Sequence, residues 1–172
     1  MKKIFTLTVV MFAALVATNV QAQDVKKFTI GIGVEGALPV GGLKTVYNIG
    51  AGATVRAAYG LDEKSAVTLT TGAIAFIPKD LGGVDLKAQL NIPVKAGYKY
   101  FLTHKFYGIG EAGFTFIKTY VPNGAGGTTS VSGTEFTYAP GVGVQLGGFD
   151  ASLRYEGYSG AGFLGLRLGF NF

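Results

Sequence analysis

The last nine residues, Leu164–Phe172, read LGLRLGFNF and decide the fold class. Leucine or phenylalanine occupies every even position, whereas glycine, arginine and asparagine occupy the odd positions. Because successive side chains of a β-strand point to opposite faces, this pattern predicts a strand with one apolar face. A soluble core and a lipid bilayer could both receive such a face, so the rest of the chain has to distinguish them.

The same alternation recurs through the sequence and predicts an all-β protein. Between Leu86 and Tyr100 every even position is apolar or aromatic, whereas the segment 66–76 carries only a faint stripe. In 106–116, Tyr107 and Ile109 blur the second face. The predicted strands are 28–38, 47–59, 66–76, 86–100, 106–116, 136–146, 149–155 and 164–172.

Eight strands of about ten residues correspond to the smallest size of outer-membrane barrel. Short turns are predicted at Gly60–Lys64, Leu102–His104 and Gly147–Gly148, and longer loops at Pro39–Val46, Ile77–Asp85, Thr119–Gly133 and Glu156–Gly162. This alternation predicts an eight-stranded antiparallel up-and-down transmembrane β-barrel with both termini on the periplasmic side.

Aromatic residues gather near both ends of the predicted strands, as in proteins that meet two membrane interfaces. The lower set is Tyr59, Tyr98, Tyr100, Phe106, Phe149 and Phe172, and the upper set is Tyr47, Phe116, Phe136 and Tyr155. Charged residues make up only 15 % of the chain. These features favour the membrane barrel over a soluble lipocalin-like barrel, which is the alternative.

The first residues have the layout of a secretory signal peptide. Lys2 and Lys3 precede an apolar stretch from Ile4 to Ala17, and Val20-Gln21-Ala22 resembles a cleavage site. We therefore expect a signal peptide at 1–22 and a barrel domain at 23–172. The sequence has no cysteine, which argues against a lipid-anchored cysteine and a disulfide framework.

Part of the sequence resembles the "porin family" of small outer-membrane β-barrel proteins from Bacteroidetes-type bacteria, of a size like OmpA and OmpX barrels. The resemblance rests on Gln89-Leu-Asn-Ile-Pro-Val-Lys95, Tyr98-Lys-Tyr-Phe101, Lys105-Phe-Tyr107 and Glu111-Ala-Gly113. Leu164, Leu166, Leu168, Phe170 and Phe172 resemble the C-terminal signal read by the barrel-assembly machinery. The resemblance implies a fold and a Gram-negative outer-membrane location, not a mechanism. Pro93 and Pro140 lie inside predicted strands, so we expect local bulges there.

Candidate chemistry is sparse. Gly31-x-Gly33-x-x-Gly36 and Gly108-x-Gly110-x-x-Gly113 match a dinucleotide fingerprint as strings, but no helix pattern follows, so we interpret them as interior glycines. His104 is the only histidine and falls in a predicted periplasmic turn, and no base can be assigned to Ser159. We expect no enzymatic activity, cofactor, metal site or nucleic-acid partner.

Charged residues on the inward face are more informative. Glu35, Arg56, Lys95, Glu111, Arg154 and Arg167 are predicted near mid-height. Since buried charges need partners, these side chains should form a polar plug. The alternative is an anion-preferring constriction, which the abundant inward glycines leave open.

The sequence thus predicts a non-catalytic barrel with a structural or surface-interaction role through its extracellular loops. The uncharged Thr119–Gly133 segment could be a flexible loop or could bind an unidentified surface ligand. A narrow channel for small solutes is the alternative, and a lipid-modifying enzyme is a distant third. The expected partners are outer-membrane lipid and, during biogenesis, the barrel-assembly machinery.

Overall fold

A computed structural model describes residues 28–79, 88–122 and 128–172. The expected signal peptide and parts of two expected loops lie outside these residues. Eight strands and one short helix are present: β1 (Phe28–Gly41), α1 (Gly42–Val46), β2 (Tyr47–Gly60), β3 (Ser65–Pro78), β4 (Gln89–Phe101), β5 (Phe106–Pro122), β6 (Thr128–Leu146), β7 (Phe149–Tyr158) and β8 (Ala161–Asn171).

The strands form a closed barrel in sequence order, and every neighbouring pair is antiparallel. The barrel closes where β1 pairs with β8, with Glu35 opposite Arg167 and Val34 opposite Leu168. This topology confirms the predicted eight-stranded up-and-down barrel. Closure pairs every strand with two neighbours, so the wall has no open edge where these pairings extend; the part of β6 before Tyr138 runs beyond its pairing with β7.

Side chains alternate between the two faces of the wall as the sequence predicts. Large apolar residues are exposed on the outside, including Val34 (62 % exposed), Val142 (61 %) and Phe136 (58 %). Polar and charged residues are buried inside, including Thr70, Lys95 and Arg167. A protein with its apolar side chains outside and its charges inside reverses the usual arrangement of a soluble domain.

Two predicted long loops are instead extended strands. β5 continues to Pro122 and β6 begins at Thr128, so most of the predicted Thr119–Gly133 loop is paired strand. Likewise, β7 continues to Tyr158 and β8 begins at Ala161, which replaces the predicted Glu156–Gly162 loop by a two-residue turn. Gly160 has a positive φ of 70° there. The alternation of apolar and polar residues, from which strands are predicted, stops in both segments, but the backbone pairing continues through them.

Tyr47 is buried although the sequence placed it in the outward upper set. The pairing of β2 with β3 shifts between Tyr47 and Ile49, which marks a β-bulge. Such a bulge inserts an extra residue and reverses the side to which the preceding residues point. Tyr47 therefore enters the barrel while Ile49 stays exposed outside.

The bulges expected at Pro93 and Pro140 are absent from the described strands. Pairing of β4 with β5 runs in one register through Pro93, and pairing of β5 with β6 does so through Pro140. Each proline has no N–H to donate, so one hydrogen bond to one neighbouring strand is lost. The pairing of β3 with β4 is interrupted beside Pro93, and the pairing of β6 with β7 is interrupted beside Pro140, but each resumes in the same register. Losing one hydrogen bond therefore does not require an inserted residue.

The lower end of the barrel carries the chain turns 61–64, 102–105 and 147–148. In the first turn, the Asp62 carboxylate accepts hydrogen bonds from the Lys64 amide (2.8 Å) and the Ser65 hydroxyl (2.6 Å). These bonds hold the pKa of Asp62 below its usual value. Within the described ranges, α1 is far too short to cross a membrane and no longer apolar helix occurs.

Candidate functional site

Nine charged side chains of the described residues are buried inside the barrel, and we call them the interior charge network. Five are basic and four are acidic: Arg56, Lys95, Lys99, Arg154 and Arg167, with Glu35, Glu111, Asp150 and Glu156. They come from β1, β2, β4, β5, β7 and β8, so the network depends on closure of the barrel.

Ion pairs connect the network from one side of the barrel to the other. Arg154 Nη1 lies 2.9 Å from Glu35 Oε1, and Arg154 Nε lies 3.3 Å from Glu156 Oε2. Lys95 pairs with the same Glu156 carboxylate. Lys95 Nζ also lies 3.5 Å from Glu111 Oε2.

The second half of the network centres on Asp150. Arg56 lies between two acids: its Nη2 is 3.3 Å from Glu111 Oε1, and its Nη1 is 3.8 Å from Asp150 Oδ1. Arg167 Nη1 is 2.9 Å from the same Asp150 oxygen, and Lys99 Nζ is 3.2 Å from Asp150 Oδ2. Every carboxylate of the network therefore contacts at least one cation.

Hydroxyl groups join the ion pairs into a closed circuit. The Thr54 hydroxyl donates to Glu35 Oε1 at 2.8 Å and accepts from Arg167 Nε at 3.1 Å. The Thr70 hydroxyl donates to Glu111 Oε1 at 2.5 Å and accepts from Arg56 Nε at 3.1 Å. A charged group buried with several partners avoids the large cost of an isolated buried charge.

All six charged residues that the sequence predicts inside the barrel lie in this network, but the prediction omits its three other members. Lys99 and Asp150 follow the inward alternation of β4 and β7, which was the signal available for them. Glu156 was assigned to a loop because β7 was predicted to end at residue 155. These three supply two of the four acids, so the sequence overstated the excess of positive charge.

Inward glycines make room for the large side chains of the network. A Cβ on Gly33 would lie 2.9 Å from Arg167 Cζ, and one on Gly169 would lie 2.7 Å from Arg167 Nη1. A Cβ on Gly143 would lie 2.3 Å from the ring of Tyr107. The space beside these glycines is therefore filled, which removes the sequence argument that they open a pore.

The two glycine motifs are not wholly interior, which corrects the expectation that their glycines all face into the barrel. Gly31, Gly33 and Gly113 face inward, whereas a Cβ at Gly36, Gly108 or Gly110 would meet nothing within 4 Å. The positions of these three glycines in the alternation place them on the outer face. Both motifs lie wholly within strands β1 and β5.

An apolar cap lies above the charge network, at the end of the barrel that carries α1. It consists of Ala37, Leu43, Tyr47, Ile74, Phe76, Tyr158 and Phe163. Phe76 and Phe163 are fully buried, and their ring centroids are 5.3 Å apart in an edge-to-face arrangement. Leu43 reaches the cap from α1, whose first amide, that of Gly42, donates to Gly160 O at 3.3 Å.

The proposed assembly residues form an exposed ladder on β8 and the terminal residue. Leu164, Leu166, Leu168, Phe170 and Phe172 are between 42 % and 63 % exposed. Arg167, between two of them in sequence, is fully buried.

Few groups suited to catalysis or metal binding are brought together. His104 and Ser159 are exposed at opposite ends of the barrel. In residues 28–79, 88–122 and 128–172, there is no cluster of three potential metal-binding side chains.

Comparisons with known structures show a shared barrel fold. Ail, the attachment invasion locus protein of Yersinia pestis, is 17 % identical, with 84 % of this chain and 97 % of that chain covered at a TM-score of 0.63. The N-terminal β-barrel domain of OprF from Pseudomonas aeruginosa gives the same identity and coverage at a TM-score of 0.62. Neisserial surface protein A is 13 % identical, covering 87 % and 97 % of the two chains at a TM-score of 0.50. No protein-family model and no curated protein sequence matches the chain.

Proposed function

We propose that this chain is an integral protein of a Gram-negative outer membrane that has no catalytic activity. Its role is structural or depends on interactions made by the parts of the barrel that project from the cell surface. The closed interior is the observation that carries this proposal, because it leaves the outer surface and the upper end as the parts available for interactions.

The outer surface supports the membrane location. On β5 the outward face is apolar from Phe106 to Phe116, apart from glycines, a span of eleven residues. With a rise of about 3.4 Å per residue and a strand tilt of about 40°, the ten steps between Phe106 and Phe116 cover a height of about 26 Å. Outer-membrane barrels carry an apolar band about 25 Å tall. The likeness to Ail and OprF agrees with this location at the level of fold.

The charge network supports a closed barrel. Arg154 and Arg167, both long side chains, are almost fully buried and reach acids on other strands. The interior of an eight-stranded barrel is just wide enough for side chains to fill. The apolar cap adds a second layer across the upper end.

Single-channel recording in planar bilayers tests this proposal. Purified, folded protein should insert and give no steady conductance. Folding is checked beforehand by heat-modifiable migration on gels, so that an absence of current is not mistaken for unfolded protein. Stable openings of the wild-type barrel would overturn the closed interior.

A narrow channel that prefers anions is the second candidate. The network has one more cation than acids, and Arg154 Nη2 and Arg167 Nη2 have no hydrogen-bond partner among the described residues. Hydrogen-bond donors without a partner could bind a small anion as it passes through the barrel. Openings with a chloride-selective reversal potential would promote this candidate.

The β5–β6 hairpin is the part best placed for surface interactions. β6 pairs with β7 only from Tyr138 to Leu146, so Thr128–Thr137 extends beyond that pairing and is paired with β5. If the chain binds a surface ligand through this hairpin, deleting residues 119–131 should leave the barrel folded but abolish the binding of cells that display it to that ligand. Unchanged binding by cells that carry the shortened hairpin would place the interaction elsewhere.

Export and assembly complete the proposal. Cleavage after Ala22 would give a mature protein that begins at Gln23, and the barrel-assembly machinery would recognise the β8 ladder that ends at Phe172. Mass spectrometry of protein from outer-membrane fractions should find Gln23 at the N-terminus. A chain that retained Met1 would contradict cleavage.

A further inference from the structure

A groove on the outside of the barrel lies between the upper parts of β4, β5 and β6. Its volume is about 410 Å³, and its lining includes Leu90, Ile92, Phe116, Lys118, Tyr120 and Ser132. Leu90 lies opposite Lys118, which lies opposite Ser132, so three adjacent strands contribute one row. Ile92 and Phe116 form the next row down, toward the middle of the wall.

Lys118 is exceptional in its position. On the strand residues that the structure describes, it is the only charged side chain that faces outward. Among the described residues that line the groove, it is also the only charged one. The outer wall is otherwise apolar or uncharged, so a cation at this point needs a specific physical reason.

The height of Lys118 places it at the membrane surface. It lies two residues above Phe116, the upper limit of the apolar band on β5, which adds about 5 Å of height. That level corresponds to the headgroups of the outer leaflet if the barrel spans the membrane as proposed. A lysine there can keep its ammonium group in the headgroup layer while its stem lies on apolar surface.

We propose that this groove binds a phosphorylated lipid of the outer leaflet. The Lys118 ammonium group, with the Tyr120 and Ser132 hydroxyls beside it, would bind the phosphate headgroup, because an ammonium group donates hydrogen bonds to anions and no carboxylate occurs among the described residues that line the groove. Leu90, Ile92 and Phe116, just below, would contact an acyl chain. The polar side chains thus lie at the upper end of the groove and the apolar side chains below them. A lipid in the outer leaflet has the same orientation, with its headgroup above its acyl chains. This inference rests on the proposed membrane location.

Native mass spectrometry of the full mature barrel, released from bilayer nanodiscs, tests the inference. The nanodiscs contain phosphatidylcholine with a minor fraction of phosphatidylglycerol. Wild-type protein should retain phosphatidylglycerol above its share of the bilayer. Lys118→Gln should reduce that enrichment by about fivefold, which corresponds to about 1 kcal/mol for one lysine at a lipid surface.

Two control variants separate this site from general electrostatics. Lys118→Arg keeps the charge and should retain the enrichment. Lys105→Gln removes an exposed cation from a turn at the opposite end and should leave the enrichment unchanged. Equal loss in Lys105→Gln and Lys118→Gln, or no enrichment in the wild type, would overturn the lipid site. Failure of the folded protein to enter nanodiscs at all would instead contradict the membrane location.

Discussion

Gly33 and Gly36 lie three residues apart on β1 and face opposite sides of the barrel wall. A Cβ at Gly33 would lie 2.9 Å from Arg167 Cζ and 3.0 Å from the carbonyl oxygen of Leu168, whereas one at Gly36 would meet nothing within 4 Å. Gly33→Ala should therefore destabilise the barrel by about 1–3 kcal/mol through overpacking. Gly36→Ala should change stability by less than about 0.5 kcal/mol. Urea unfolding in detergent measures both, and equal effects would contradict the inward placement of Arg167.

A second residue-scale prediction concerns Glu111, which contacts Thr70, Arg56 and Lys95. Glu111→Ala leaves two buried cations without this partner and should lower the free energy of unfolding by about 3–5 kcal/mol. Glu63→Ala removes an exposed carboxylate from a turn and should cost less than about 0.5 kcal/mol. Comparable unfolding midpoints of the two variants would show that the network contributes little to stability.

The alternation of apolar and polar residues is sufficient to assign a side chain to the inner or outer face of the wall, but it does not show which charged side chains form ion pairs. Arg167 and Glu35 occupy inward positions in the sequence pattern, yet the nearest acid to Arg167 Nη1 is Asp150 and the partner of Glu35 is Arg154. These choices depend on side-chain length and on which strands meet across the barrel. Tyr47 shows the other limit, because the bulge that turns it inward has no signature in its own residue type.

At the scale of elements, β8 combines an exposed apolar ladder with barrel closure. Leu168 lies near its middle and is 42 % exposed on the outside. In the membrane location proposed above, Leu168→Arg places a charge near the bilayer midplane, which should cost about 2–4 kcal/mol. Leu102→Arg, the same change in an exposed turn outside the band, should be tolerated. The folded fraction on heat-modifiability gels measures this cost, and equal folding of both variants would show that Leu168 does not face lipid.

Element boundaries were predictable where hydrophobic alternation continues and wrong where it stops. The predicted start or end of β1, β2, β3 and β4 differs from the structure by three residues or fewer. β5 runs on into Thr119–Pro122, and β6 begins with Thr128–Gly133, where five of the six residues are threonine, serine or glycine. Above the apolar band both faces of a strand can meet water, so the chain pairs there without any alternating pattern.

At the scale of the whole molecule, two unlike layers occupy the lumen. The charge network lies across the middle and the apolar cap lies above it, so the interior has two barriers in series. The network alone was foreseeable from the inward charges. The cap was not, because the sequence pattern places Tyr47 outside and assigns Phe163 neither to the Glu156–Gly162 loop nor to the strand 164–172. A leak should therefore require that both layers are opened.

Three variants test this arrangement in planar bilayers. Glu111→Ala with Arg154→Ala removes large members of the network but leaves the cap, and this barrel should remain without steady conductance. Phe76→Ala with Phe163→Ala removes the centre of the cap but leaves the ion pairs, and it should also stay closed. The four changes together should give discrete openings, because neither layer then fills the lumen. Each variant is first shown to be folded by heat-modifiable migration. Steady openings in either double variant would show that a single layer seals the barrel, and a closed quadruple variant would show that other side chains do.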